Sequence, residues 1–392
     1  MSEKKGTIVY IGGFEMPDKN AAANRVLNNA RVFATIGYKV VFCGIDHFIQ
    51  QNACKPDIFD GFESWPVKYP TSTKEWIKEQ VSFAYIKSVL DKYEDIKFVI
   101  GYNMHALPLR NLENWCLKRK IKVLIDATEW YPNKFSLKPA KFIRWIDTNL
   151  VMRWYQKKVD GVMAISSLLA EYYKRVVKNV IIVPPLVDLK EEKWKQKNLQ
   201  RDNLVEFTYT GRAGNGKDIV KDKIDLVINA LSEIPYVYNY KFTVVGMTED
   251  DCIAMFPNIK DTIIQLNGKI QFLGRVSHNE SIENLMKSDY CIFLREINRQ
   301  NMAGFPTKFV ECLSAGIGVI VNNVSDLGKY FPLDDGILLD NLTEKVVVEA
   351  MIDCIEKGKV NHAKSTVFYY KNYIQIIEEW LNNILGTSVQ LH

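Results

Sequence analysis

Short runs of β-branched and aliphatic residues alternate along this chain with stretches whose apolar positions recur every three to four residues. The runs at 7–11, 39–43, 97–100, 122–125, 161–165 and 180–183 predict six strands in the first half. Those at 205–210, 241–246, 270–273, 290–294 and 318–321 predict five in the second. Nearly continuous apolar runs suit strands buried on both faces, and helical patterns between them supply the covering layers. The expected fold class is therefore α/β, with two tandem Rossmann-like domains. A polar, lysine-rich stretch without periodicity, 190–203, follows Pro184-Pro185 and marks the hinge. The predicted division is a first domain over 1–187, a second over 188–365, and a final helix over 366–392 that crosses back onto the first domain. Ligands of such sheets bind beyond the carboxyl ends of the strands.

Composition narrows the class. A chain of 392 residues, 47% hydrophobic and 25% charged, is ordinary globular protein with room for two cores. The net charge of +5 is diffuse, and no basic arm, RNA-binding aromatic signature or zinc-finger spacing accompanies it, so nucleic acid is not an expected partner. Seven widely spaced cysteines, mostly in apolar runs, read as free thiols of a reducing cytoplasm, and no metal-ligand cluster is visible. The start of the chain passes from a short charged leader straight into a strand, which argues against a signal peptide. No apolar run approaches the length of a membrane span.

The candidate chemistry lies in turns after the predicted strands. The segment 301–321 reads as a Gly-Phe-Pro turn, an amphipathic helix over 307–315, Gly316, and a second strand. Gly304 allows close backbone approach, Pro306 suits a first helical position, and helix-start N–H groups attract anions. Lys308 and Glu311, three residues apart, share a face and suit a phosphate and a ribose hydroxyl; an ordinary βαβ corner with a surface Lys and Glu is the other reading. The loop YTGRAGNGKD sets Arg212 and Lys217 among Gly211, Gly214 and Gly216, which suits a diphosphate bound without metal, or a solvated charged turn. It lacks the spacing of a Walker loop. Arg295, Glu296 and Arg299 follow a buried strand, at the lip of a site or in a solvated loop.

In the first domain, Gly12-Gly13 follows the first strand without the full dinucleotide fingerprint, so a binding loop and a plain tight turn both fit. After the strands at 97–100 and 122–125 come Asn103, His105, Asp126 and Glu129, near one another at one sheet edge. These could orient sugar hydroxyls or accept a proton, although a lone histidine is often merely hydrogen-bonded structure. The segment 134–158 carries seven Lys or Arg against one acid, Asp147, interleaved with Phe142, Trp145, Trp154 and Tyr155. It suits an anionic membrane surface, or an amphipathic helix with its apolar side on the core.

These turns, in this order, resemble GT-B glycosyltransferases and, among them, glycosyltransferase family 4 of the bacterial surface-polysaccharide type. The resemblance rests on GGFEMPDKNAAANRV, VDGVMAISSLL, TGRAGNGKD, IQFLGRVSHNE and GFPTKFVECLSAGIGVI, which together span nearly the whole chain. It implies a GT-B architecture and a nucleoside-diphospho-sugar donor held by the second domain. It further implies a glycan or lipid-linked glycan acceptor received by the first, and transfer with retention of anomeric configuration. Arg212 and Lys217 look like the cationic pair on the diphosphate, and Glu311 like the carboxylate on the ribose. Gly12-Gly13 is similar to the loop under the pyrophosphate, and Gly304, Phe305, Pro306 and Thr307 would offer backbone donors. Two positions depart from the family pattern. Ala303 stands where a first glutamate is usual, with Arg295, Glu296 or the 303–305 backbone as replacements, and Asp222-Lys223 stands where a Lys-Gly pair is usual. No Asp-x-Asp motif follows a strand, so no metal or other cofactor is expected. A catalytically silent sugar- or partner-binding subunit, a GT-B nucleotide-sugar epimerase and a two-lobed binding protein are the alternatives.

Overall fold

The β-branched runs do form strands, and most are buried along nearly their whole length, the run at 270–273 being half-buried to exposed. The computed structural model describes residues 5–17, 19–131, 138–195, 204–214, 220–331, 336–358 and 363–386. The chain divides into two compact units, Met1–Val187 with Tyr369–His392, and Asp188–Phe368.

In the first unit the strands are β1 (Thr7–Gly12), β2 (Lys39–Asp46), β3 (Asp57–Phe59), β4 (Phe62–Ser64), β5 (Val67–Lys68), β6 (Ile96–Tyr102), β7 (Lys122–Ala127), β8 (Gly161–Ala164) and β9 (Val180–Ile182). They lie in the order β3-β4-β2-β1-β6-β7-β8-β9, with β5 beside β2. Register pairs Tyr10 with Phe42 across β1 and β2, and with Ile100 across β1 and β6. Every pairing is parallel except β3 with β4, a short antiparallel hairpin absent from the sequence expectation. Its strands have three residues each and mix exposed, half-buried and buried positions, so they carry no buried run to recognise.

One face of this sheet packs on the helix Ala21–Ile36, whose Val26, Ala30 and Phe33 join Ile8, Tyr10 and Phe98 in a core. The helix Ile374–Leu385 adds Ile377, Trp380, Leu381 and Ile384 to that core. Each such buried side chain contributes roughly 1.5–3 kcal/mol of transfer free energy. Gly161 makes this approach close: a Cβ there would stand 2.9 Å from the Trp380 ring and 2.7 Å from Ile384.

The second unit has β10 (Val205–Thr210), β11 (Tyr240–Val245), β12 (Ile270–Phe272), β13 (Tyr290–Phe293), β14 (Gly318–Asn322) and β15 (Gly336–Leu339). All are parallel, in the order β12-β11-β10-β13-β14-β15. This is the doubly wound Rossmann order, and the expectation of two Rossmann-like α/β domains is met. In this unit the sheet order reverses between β10 and β13, and in the first unit between β1 and β6. The crevices that such reversals open are where ligands settle. Among the described residues, no helix is long and apolar enough to cross a membrane.

Candidate functional site

At the reversal point of the second unit, β10 ends in Thr210 and the chain turns through Gly211 at φ +89°. A side chain there would be strained, and its Cβ would press to 3.2 Å from Cε of Lys308. Arg212 follows and is exposed, its guanidinium 3.9 Å from Asp251. Lys217 lies outside the described residues. Beyond β13, Arg295 is fixed by its backbone: its N–H donates to Asn322 Oδ1 at 2.8 Å, and Asn322 Nδ2 donates back to its carbonyl at 2.9 Å. Glu296 is exposed. Where a loop is expected, residues Arg299–Ala303 instead form a short helix, capped by Asn298 through its side chain.

The helix Thr307–Ala315 starts as the sequence suggests, with Pro306 at its cap rather than inside its first turn. Gly304 has φ −78°, a conformation open to any residue, and its N–H donates to Gln300. The donors available to an anion are therefore those at the very start of the helix, ahead of Phe309, whose N–H already bonds the Pro306 carbonyl at 3.2 Å. Phe305 packs edge-on to Phe309, Tyr330 and Phe368, so its side chain belongs to the core of the unit. Lys308 and Glu311 do not share one open face. Lys308 is buried in an ion pair with Asp222, its Nζ 3.8 Å from the Tyr209 ring centroid. Glu311 is half-buried and lies 3.2 Å from His278 Nε2. Burial raises its carboxyl to about 7, opposed by Lys193 and Lys308.

Asp222 was noticed in the sequence only as a departure from a family pattern. In the structure it is the centre of a cluster: Arg295 Nε at 2.6 Å, the Tyr209 hydroxyl at 2.8 Å and the Lys308 ammonium all converge on a carboxylate that is 1% exposed. Against the cost of burial, Lys308 and then Arg295 hold its carboxyl well below the usual range.

In the first unit a cavity of about 600 Å³ opens beyond β1 and β6. Gly12, Gly13, Asn103, His105 and Glu129 line it, and Asp126 does not. A Cβ on Gly12 would fall 1.7 Å from the Tyr102 carbonyl oxygen, so this glycine is required by the approach of β1 to β6 whatever binds above it. His105 precedes the helix Ala106–Leu117. Its Nδ1 donates to Asp147 Oδ2 at 2.8 Å, and Asp147 Oδ1 accepts the Ala106 N–H at 2.7 Å. The tautomer so fixed leaves Nε2 as an acceptor, 2.9 Å from the amide nitrogen of buried Gln80. Asp147 comes from the helix Pro139–Arg153, where its being the lone acid among basic residues was the available signal; nothing local pointed to Gln80.

Asp126 sits behind the cavity wall. Its carboxylate takes Arg25 Nε at 3.0 Å and Nη2 at 2.7 Å, with the Tyr10 hydroxyl as a further donor. Arg25 Nη1 reaches the Val183 carbonyl at 2.8 Å. With a side chain fully withdrawn from solvent, Asp126 has no oxygen to offer a sugar hydroxyl, and the expectation that it joins His105 and Glu129 is corrected: it braces the unit. Among the described residues, no group of three or more His, Cys, Asp or Glu is placed to hold a metal ion.

Residues 190–367 match a family model described as glycosyl transferases group 1. No curated protein sequence is significantly similar to the chain. Similar solved structures include a sucrose-phosphate synthase from Thermosynechococcus elongatus, 14% identical, TM-score 0.70, over 98% of this chain and all of that one. Anabaena HepE in complex with UDP is 12% identical over 97% of both chains, with a TM-score of 0.57. The UDP-GlcNAc 2-epimerase of Methanocaldococcus jannaschii is 11% identical, TM-score 0.57, over 95% of this chain and 99% of that one. The protein thus has the GT-B fold and is glycosyltransferase-like.

Proposed function

We propose that this protein is a retaining glycosyltransferase that moves a sugar from a nucleoside-diphospho-sugar to a glycan or lipid-linked glycan acceptor, in surface polysaccharide synthesis. The observation that carries the reading is the reversal point of the second sheet. There Gly211, the Arg295–Asp222–Lys308 cluster, the start of the helix Thr307–Ala315 and Glu311 gather at strand ends. A diphosphate leaving group fits these cations and N–H donors, which stabilise charge as the glycosidic bond breaks. Arg212 and Lys217 are assigned to the same diphosphate, with Glu296 and the 304–307 backbone beside the sugar, and Glu311 accepts from the ribose. The acceptor hydroxyl is assigned to the cavity of the first unit, with Glu129 on its wall to orient it and His105, whose Nε2 already accepts from Gln80, shaping that wall. Its oxygen bonds to the anomeric carbon on the face the phosphate leaves, and its proton goes to the departing phosphate oxygen.

The helix Pro139–Arg153 supports a lipid-linked acceptor. Phe142, Ile146 and Leu150 on this helix, with Trp154 at its end, form an exposed apolar row, and Lys141, Arg144, Arg153, Lys157 and Lys158 lie around it. Lys134 lies outside the described residues. Such a surface fits the anionic inner face of a cell membrane, approached from the cytoplasm.

The test is nucleotide release from UDP-, GDP- and dTDP-sugars, UDP first because HepE was captured with it, followed by NMR of the product anomer. Acceptor-dependent release with retained configuration is expected. Donor interconversion without acceptor would make the protein an epimerase. Tight donor binding without turnover would make it a silent binding subunit, the outcome that Ala303 favours.

A further inference from the structure

We infer that Asp222 is a positioning residue of the nucleotide site: it holds the Arg295 guanidinium so that its two Nη nitrogens receive the outer phosphate of a nucleoside diphosphate. This rests on the reading of the second unit as the donor domain, and it assigns work that neither the family pattern nor the cations alone would predict.

A carboxylate beside a diphosphate repels it, so an aspartate at the reversal point of this sheet is the wrong charge unless it is spent on something else. Asp222 is fully spent. Its Oδ1 accepts from Arg295 Nε at 2.6 Å, and its Oδ2 from the Tyr209 hydroxyl at 2.8 Å and from the Lys308 ammonium. Two cations meet one anion, which leaves the cluster with a net charge of +1. A buried pair kept only for stability has no use for a second cation, because each desolvated charge without a counter-charge is costly.

Geometry then separates the two cations. Lys308 is enclosed: its Nζ faces the Tyr209 ring, its Cε lies under Gly211, and burial pushes its ammonium below the usual lysine range. It is the counter-ion of Asp222. Arg295 is 14% exposed and uses Nε alone on Asp222. Among the described residues its Nη nitrogens have no hydrogen-bond partner. A guanidinium is a planar fork, so a carboxylate fixed on Nε sets the direction of the Nη edge, and that edge has the spacing for two phosphate oxygens. The Arg295 backbone is itself pinned by Asn322, so the side chain has little other freedom.

The test compares nucleoside diphosphate with monophosphate on the intact protein. Calorimetric titrations use UDP and UMP, GDP and GMP, and dTDP and dTMP, and the base that binds is carried forward. Wild type should prefer the diphosphate by tenfold or more. Arg295→Gln should remove most of that preference and leave monophosphate affinity unchanged. Asp222→Asn should lower it about tenfold although the cluster becomes more positive, whereas an effect of charge alone would raise it. A preference that is unchanged or increased in folded Asp222→Asn overturns the proposal. Should that variant fail to fold, an unaltered preference in Arg295→Gln overturns it equally. Nucleoside monophosphate binding with no added affinity for the diphosphate in wild type would defeat this assignment and leave the donor domain standing. Binding of no nucleotide at all would remove both.

Discussion

Glu311 shows how a residue's burial can set the conditions for its function. A carboxyl raised to about 7 from an ordinary 4.5 is mostly protonated at pH 6 and mostly ionised at pH 8. The folded state holds that proton more tightly than the unfolded chain does, so the group's contribution to stability is full below about pH 4.5 and is lost as pH rises through 7. The proposed ribose contact runs the other way, because only an ionised Glu311 would accept from both ribose hydroxyls. The preference for a ribonucleotide over its 2′-deoxy form should fall about tenfold between pH 8 and pH 6. Comparing the two forms cancels titration of the phosphate itself. Glu311→Gln should flatten the profile, and a profile still steep in that variant would trace it to His278 or another group. Asp126 is the converse case, a strand-end carboxylate that looks chemical in the sequence and is consumed by Arg25 in the fold.

At the scale of elements, the helix Pro139–Arg153 presents two different faces. Its inner face carries Val151, buried, and Asp147, which orients His105. Its outer face carries the apolar row ending in Trp154, 57% exposed, with Lys158 4.3 Å from the centroid of that ring. The sequence alone allowed the aromatics of this segment to face the core; the structure turns Phe142 and Trp154 outward. In flotation with phosphatidylcholine–phosphatidylserine vesicles the protein should rise with the lipid, less so at high salt. Ile146→Glu with Leu150→Glu should keep it at the bottom of the gradient while the fold is retained. Equal flotation of the variant, or binding indifferent to salt, would dismiss the membrane role.

For the whole molecule, the division into two units has a consequence for unfolding. Of eight tryptophans, only Trp194 belongs to the unit Asp188–Phe368. Tryptophan fluorescence therefore follows mainly the first unit, while far-ultraviolet dichroism follows both. A nucleoside diphosphate at a hundred times its Kd stabilises the unit that binds it by about 2.7 kcal/mol. The expected outcome in urea is a dichroism transition that moves to higher denaturant while the fluorescence midpoint moves less. Coincident shifts would show the two units unfolding as one cooperative body, and a shift of fluorescence alone would move the nucleotide to the first unit.

The sequence by itself determined the elements and their arrangement into two doubly wound sheets. Apolar runs of four to eight residues and helical periods between them are local signals, and parallel strands buried on both faces write them strongly. The start of the helix Thr307–Ala315 and the glycine turns at strand ends were legible for the same reason. The hairpin β3–β4 and the short helix Arg299–Ala303 were not, since neither is long enough to show a period. Tertiary structure alone decided the partners of the charged residues. Arg25 and Asp126 lie 101 positions apart, Asp222 and Lys308 86, and His105 and Asp147 42. No local pattern couples such positions. Charge and burial are properties of what the folded chain brings together, so the roles of Asp126, Asp222 and Lys308 appeared only when the sheets placed their counter-ions beside them.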